Sequence, residues 1–405
     1  MRPTLLTVGV IGVVSTACGS AGANTGCVAI RDSAGIEIVE STPPPRDAAP
    51  SWTIDTIPLF DIGADPGDPN QEFDAPSNPV RLADGRIAVA DPGSQEIRFF
   101  DSAGVWLGNV GRKGQGPGEF TSLAELHLGP GDSLYAYERG TGFVHVLDAE
   151  GRYARRTRLQ FPGEGRFAIF SGVFADGRWL VDGSKHVFPT APGVFRGTAT
   201  LYEYSAEGAP LDSIASIPSG EAYGEPFGRA GFRFLLTPFR RASVTVVQGP
   251  RVFFGVTERV DLRVYQSGTG VERIIRIQLP EQPLTRELIE QAVARQVAGW
   301  TRTPVVEREE YRRKILGASH PAQVPAISAL VIAASGDLWF REYVVDPDGP
   351  VRYVVADSTG RFKAFALGPA RFTPSWIGAD RVIGLWRDPD DVVHVRGYRL
   401  RTQPN

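Results

Sequence analysis

The feature that most constrains this chain is a repeated pair of tight turns set between short apolar segments. The first turn of each pair falls at Gly85, Gly131, Gly177, Gly249, Gly336 and Ala379, at spacings of 46, 46, 72, 87 and 43 residues. The short steps define a period near 45, and the long ones carry insertions. A second turn follows 19 to 31 residues later, as Asp101–Gly104, Asp148–Gly151, Ser205–Gly208, Ser267–Gly268 and Asp357–Gly360. In Glu96–Phe100 the side chains alternate between faces, as a half-buried strand requires. Two turns per period make four antiparallel strands per repeat. Strand quartets at a period of roughly 40–50 residues are propeller blades.

The repeats number six. The sixth has a first hairpin at 372–386 and a third strand at Val392–Leu400, after which the chain ends. Its fourth strand is expected from Trp52–Ile57 through Phe60–Gly63. A local echo supports that register: Ile62-Gly63 with Glu72-Phe73 mirrors Val110-Gly111 with Glu119-Phe120. An N-terminal strand closing the last blade would leave the ring without open edges. The expectation is an all-β, six-bladed β-propeller of four-stranded antiparallel blades over residues 51–402. An aromatic and basic insertion is expected at 219–242, and a helical one at 281–322, between blades 4 and 5.

Gly111-Arg112-Lys113-Gly114-Gln115-Gly116-Pro117-Gly118-Glu119-Phe120 resembles the NHL-repeat signature. Together with the Leu82-Ala83-Asp84-Gly85-Arg86 turn and the start of the chain, it gives a resemblance to exported bacterial 6-bladed β-propeller proteins, in the TolB-like propeller superfamily. The resemblance implies the fold and export, and it implies no particular activity.

The first residues read as an export signal. Arg2 is the positive start and Leu5–Val14 is a ten-residue apolar run, too short to span a bilayer. Ser15-Thr16-Ala17-Cys18 resembles a lipobox, which implies a signal peptide over 1–17 and a lipid anchor on Cys18. The alternative is secretory cleavage after Ala21-Gly22-Ala23. Residues 18–50, with Ser41–Pro50 rich in proline, are expected to be a tether. No later apolar run is long enough for a membrane helix.

Within 281–322, Leu284, Leu288, Ile289, Ala292, Val293, Val297 and Trp300 recur at helical spacing, with Thr285 as N-cap. Glu307–Leu316 is expected to form a second, charged helix. Both lie between a fourth and a first strand, hence over one face of the ring. They are either a packed lid or a wall of a cleft.

Composition narrows the chemistry. Lys plus Arg is 43 and Asp plus Glu is 46, for a net charge of −3, so nucleic acid is not an expected partner. Two cysteines make no disulfide scaffold. No hydrolase, zincin or P-loop motif is present, and Gly114-x-Gly116-x-Gly118 has the wrong spacing for dinucleotide binding. The five histidines, 127, 145, 186, 320 and 394, are scattered. Most second strands end in a carboxylate: Asp91, Glu138, Asp182, Glu258, Glu342 and Asp388. Gathered on one face, these could hold a divalent cation, as in lactonase-type propellers, or each could accept N–H bonds in its own turn. The interspersed basic residues and the lack of a matching Asn set beyond Asn78 and Asn109 favour turn satisfaction. No catalytic residue, cofactor or metal ligand is assigned.

The expected function is an extracytoplasmic, monomeric binding scaffold for a protein, peptide or glycan, touching the membrane only through its N-terminal lipid. The candidate ligand-binding residues are Arg112, Lys113, Arg240, Arg241, Arg259 and Arg387. The alternative is a metal-dependent hydrolase or lyase of the lactonase type at the pore. The anchor is directly testable: Cys18→Ala should move the protein from the membrane to the soluble fraction, and unchanged fractionation would leave simple secretion.

Overall fold

The computed structural model describes residues 14–18, 26–64, 67–77, 79–161, 163, 168–184, 191–227, 231–300 and 303–402, the first segment as backbone only. The chain opens with β1 (Val14–Cys18), β2 (Cys27–Ser33), β3 (Ile36–Thr42) and the long β4 (Ser51–Ile62). A first quartet follows: β5 (Val80–Arg81), β6 (Ile87–Asp91), β7 (Glu96–Phe100) and β8 (Trp106–Val110). The second is β9 (Leu123–Leu128), β10 (Leu134–Glu138), β11 (Phe143–Leu147) and β12 (Tyr153–Arg158). The third is β13 (Ile169–Val173), β14 (Trp179–Asp182), β15 (Gly193–Tyr204) and β16 (Pro210–Phe227), extended by β17 (Gly231–Leu235). The fourth is β18 (Ser243–Gln248), β19 (Arg251–Val256), β20 (Val260–Gln266) and β21 (Gly270–Ile277). Helices α1 (Arg286–Ala298) and α2 (Val305–Leu316) come next. The fifth is β22 (Ile327–Ile332), β23 (Leu338–Glu342), β24 (Val351–Ala356) and β25 (Phe362–Gly368). The last group is β26 (Phe372–Ile377), β27 (Arg381–Arg387) and β28 (Val393–Arg401).

The sheets are propeller-like. Within each group successive strands pair antiparallel. The first strands β5, β9, β13, β18, β22 and β26 lie one against the next, and β26 returns to β5, so the groups form a closed ring. Six apolar clusters sit at the six seams. Leu82, Ile97 and Phe99 meet Leu123, Leu134 and Leu147 at the first; Phe60, Ile383 and Val395 meet Ile87, Val89 and Phe100 at the last. Because each sheet is covered on both faces, second strands such as Ile87–Asp91 and Leu134–Glu138 are buried at every position. A strand packed on both faces needs this continuous run rather than a polar face.

Ring closure falls to β4. Its residues 53–62 pair antiparallel with β28, register Arg401↔Thr53 to Val395↔Ile62, and supply the sixth group's fourth strand. Its first residues, Ser51–Thr53, instead pair parallel with Phe365–Leu367 of β25. Ile54, Phe60 and Ile62 are buried. Two charged contacts across the strands hold the register: Asp61 accepts from Arg396 Nε at 2.9 Å, and Asp55 accepts from Arg401 Nε at 2.6 Å.

The stretch expected as a tether holds structure. Residues Cys27–Thr42 form a β2–β3 hairpin, and β3 adds to the outer edge of β21 in parallel, Glu37↔Arg273 to Ser41↔Ile277. Ile38 and Val39 are buried, and Ser41 Oγ donates to the Gly360 carbonyl at 2.8 Å. The cause is edge satisfaction: β21 would otherwise present an unpaired row of N–H and C=O groups beside Ile275. Arg273 and Arg276 of β21 meet Glu37 and Glu40 of β3, which fixes the register. Cys18 lies at the end of β1, opposite Cys27.

Truncation separates these roles. Removing residues 1–26 should leave the thermal midpoint of the protein unchanged. Removing 1–44 uncovers Ile38, Val39 and the β21 edge and should cost about 1–3 kcal/mol in denaturant unfolding. Removing 1–63 takes away the closing strand and should produce aggregation.

Candidate functional site

Within a quartet, the 1–2 and 3–4 turns emerge at one face of the ring. The 2–3 turns and the links to the next quartet emerge at the other. Both insertions belong to the second face. β15 and β16 run on past their sheet, with Arg196↔Glu221 and Gly193↔Gly224 still paired, and β17 adds to β16. The helices lie in the link between β21 and β22. Thr285 Oγ1 caps α1 by accepting the Leu288 N–H at 3.3 Å.

The helices pack on that extended hairpin through an apolar cluster of their own: Ile289, Val293, Tyr311 and Ile315 against Tyr223, Phe239 and Val324. Phe239 stacks on Tyr343 at 5.2 Å, and its N–H donates to the Tyr343 hydroxyl at 2.7 Å. Tyr311 donates to the Leu236 carbonyl at 2.9 Å. At the hairpin edge Glu225 accepts from Arg233 Nε and Lys314 Nζ, both at 2.8 Å. The result is a packed lid over one side of the face.

The chain leaving the lid, residues 319–326, has a cleft on each side. The smaller, about 290 Å³, is lined by Arg196, Glu221, Arg241 and Ser319–Ala322. The larger, about 460 Å³, lies between Glu258–Asp261, Arg276–Glu281, Glu40 of the β2–β3 hairpin and Gln323–Val324. Most of the charges in both are paired. Buried Glu221 takes the Arg241 N–H at 2.9 Å and its Nε at 2.6 Å, while Arg196 Nη1 holds Glu258 at 2.5 Å. Arg276 donates to Glu40 at 2.8 Å and lies 3.4 Å from Asp261, as does Arg259. His320 Nε2 is 2.8 Å from the Ile315 carbonyl oxygen, a contact that needs the proton on that nitrogen.

The structure therefore brings Arg241 and Arg259 to neighbouring clefts, with Arg240 exposed close to Gly220. It does not gather the other candidates there. Arg112 and Lys113 lie in the link between the first two quartets, Arg112 donating to Glu119 at 2.8 Å. Arg387 is on the sixth, 3.4 Å from Asp391. The Cys18 side chain, Asn78, Lys185 and His186 lie outside the described residues. Sequence reading missed Arg196, Glu221 and His320. The local hints were the long spans between the third and fourth and between the fourth and fifth first turns.

The strand-end carboxylates are each engaged by partners within the protein. Buried Asp91 accepts from the Ala75 and Asp74 N–H groups at 2.9 and 3.2 Å and from Ser94 Oγ at 3.0 Å. Asp388 accepts the Val392 N–H at 2.7 Å, and Asp182 the Ser184 hydroxyl at 2.8 Å. Burial raises the Asp182 carboxyl above its ordinary value. Glu258 and Glu342 are bound by Arg196 and Arg46. Among the described residues no group of three or more His, Cys, Asp and Glu is placed to hold a metal ion.

Glu138 is the most heavily bonded of the set. It accepts from the Thr121 and Ser122 N–H groups and the Thr141 hydroxyl, and its Oε2 lies 3.4 Å from His145 Nε2. Burial opposes ionisation of Glu138, but these donors outweigh it and hold the carboxyl below its usual value. His145 is fully buried, with Phe120 at 4.9 Å and Nδ1 without a partner among the described residues. Burial pushes its pKa down, against the pull of Glu138.

A family model described as a 6-bladed beta-propeller matches residues 73–164, which span the first two quartets. No curated protein matches the chain. Solved structures resemble it at low identity. A member of the duf4221 family from Bacteroides vulgatus aligns at 9% identity and TM-score 0.48, over 86% of this chain and 99% of that one. A Bacteroides fragilis protein described as a candidate exported protein aligns at 10% and 0.47, over 87% and 96%. A gluconolactonase from Xanthomonas campestris aligns at 11% and 0.43, over 98% of both.

The buried pair sets a pH response. The His145 pKa is depressed in the folded protein, so the unfolded chain takes up the proton first as pH falls below about 6.5. The contribution is complete above that pH and is lost progressively below it. Thermal midpoints measured from pH 7.5 to 5 should fall, and His145→Gln should flatten part of that fall.

Proposed function

We propose that the six strand groups are the four-stranded blades of a single six-bladed propeller, with the helices inserted between blades 4 and 5. We read the chain as an exported binding scaffold, anchored through Cys18, whose insertion-bearing face takes a protein, peptide or glycan. One observation carries the reading. A lid with its own apolar core stands on that face and leaves two preformed clefts beside residues 319–326. Several of their charged groups are already neutralised by partners within the protein, Arg241 by Glu221 and Arg196 by Glu258. Such walls suit a polar chain of mixed character better than a compact anion, which needs uncommitted positive charge.

The alternative is a lactonase-type hydrolase or lyase at the pore. It would need carboxylates free to converge on an ion. Asp91, Glu138 and Asp388 instead direct their oxygens at N–H groups of their own connections, which favours the scaffold.

The test uses the purified full-length chain on a glycan array and an extended-peptide library. The strongest binders are then measured against Ala322→Trp, which fills the smaller cleft, and Arg240→Glu. At least tenfold weaker binding by these variants is the expected result. Binding untouched by both would move the site elsewhere. One calcium or zinc ion per purified chain, together with lactone hydrolysis, would replace the scaffold by the enzyme.

A further inference from the structure

The opposite face of the ring carries a cleft that ring closure itself creates. At four of the seams a 3–4 turn tucks against the preceding blade. A methyl group added at Gly104 would lie 3.0 Å from Phe60, at Gly151 3.0 Å from Phe99, at Gly208 2.8 Å from Thr157 and at Gly360 2.6 Å from Ile275. Blade 6 has no 3–4 turn, because its third strand is β28 and its fourth is β4, from opposite ends of the chain. The seam between blades 5 and 6 therefore lacks the plug that those seams have. A cleft of about 410 Å³ occupies it, between the end of β28, the start of β4 and the 1–2 turns of both blades. That volume lies within the range of small-molecule pockets, about 300–1,000 Å³.

Its lining is aromatic and polar together. Trp52 is half-buried on β4, with its ring centroid 5.6 Å from that of Trp339, and Phe362 lies beside them. Lys363 Nζ lies 5.4 Å from the Trp52 ring centroid and binds Asp337 at 2.8 and 3.0 Å. Ser335 donates to the same carboxylate at 3.0 Å. The Lys363–Asp337 pair cancels in charge yet offers a donor and an acceptor side by side.

We propose that this cleft binds a neutral sugar ring of a glycan. A pyranose has one face of C–H groups, which suits the electron-rich face of an indole. Its rim of hydroxyls can both donate to Asp337 and accept from Lys363. A compact anion or cation would have to break the Lys363–Asp337 pair, whereas a polyol bridges it. The site is separate from the insertion-bearing face, so the two readings can fail independently.

The experiment titrates the full-length protein with maltose, cellobiose and N,N′-diacetylchitobiose by saturation-transfer NMR and tryptophan fluorescence. Glucuronate and inorganic phosphate serve as charged controls. At least one neutral disaccharide should bind saturably. Trp52→Ala should weaken it tenfold or more, Trp52→Phe should restore part of the loss, and Lys363→Met should weaken it at an unchanged thermal midpoint. Arg240→Glu, on the other face, should leave it unaltered. Binding of the charged controls alone, no saturation by any of the three disaccharides, or sugar binding indifferent to both Trp52 variants would each overturn the proposal.

Discussion

The ladder between β4 and β28 is the constraint on which the rest of the molecule depends. It joins residues more than three hundred positions apart, Arg396 to Asp61 and Arg401 to Asp55, and turns a row of sheets into a ring. Until it forms, the β28 edge is open and the seam of Phe60, Ile87, Phe100 and Val395 has one wall missing. Its cost is the entropy of bringing the chain ends together, which grows only slowly with length. Its return is that the last two seams can bury their apolar surface.

Closure also decides where the face-to-face differences lie. Four of the five 3–4 turns, at Gly104, Gly151, Gly208 and Gly360, press on the preceding blade, while the one at Gly268 has open space beside it; the seam where β4 meets β28 has no such turn and leaves the cleft beside Trp52. Links between blades lie outside the strand ladders, their backbone held at points such as Ala75 by Asp91 and Ser122 by Glu138, and so can vary in length. The long link from β21 to β22 grew into two helices, and they found their core on the hairpin extension and on Phe239 and Tyr343. Long excursions on one face and a gap on the other follow from a single closed topology.

The strand-end carboxylates illustrate how repetition can mimic a site. Six acids at equivalent positions look like a ring of ligands when written along the chain. In the folded protein Asp91 and Glu138 each hold the backbone of the incoming link, donor by donor. A blade needs its buried N–H groups satisfied at that corner, and in these two repeats an acid does so.

The repeat, the turn positions, the closing strand and the two helices were legible in the residues themselves. They rest on local rules: period-two alternation, turn chemistry within four or five residues, helical spacing and an N-cap at Thr285. What the tertiary structure decided was every pairing between distant segments. The Ile36–Val39 stretch lies in what reads as a tether, and only the open edge of β21, with Arg273 across from Glu37, makes it part of a sheet. Arg240 and Arg241 are neighbours of one type in the sequence. In the fold one is exposed and the other is bound to Glu221, twenty residues away. The clefts belong to no segment at all, since each is bounded by three or more pieces of chain whose spacing is set by how the blades pack around the ring.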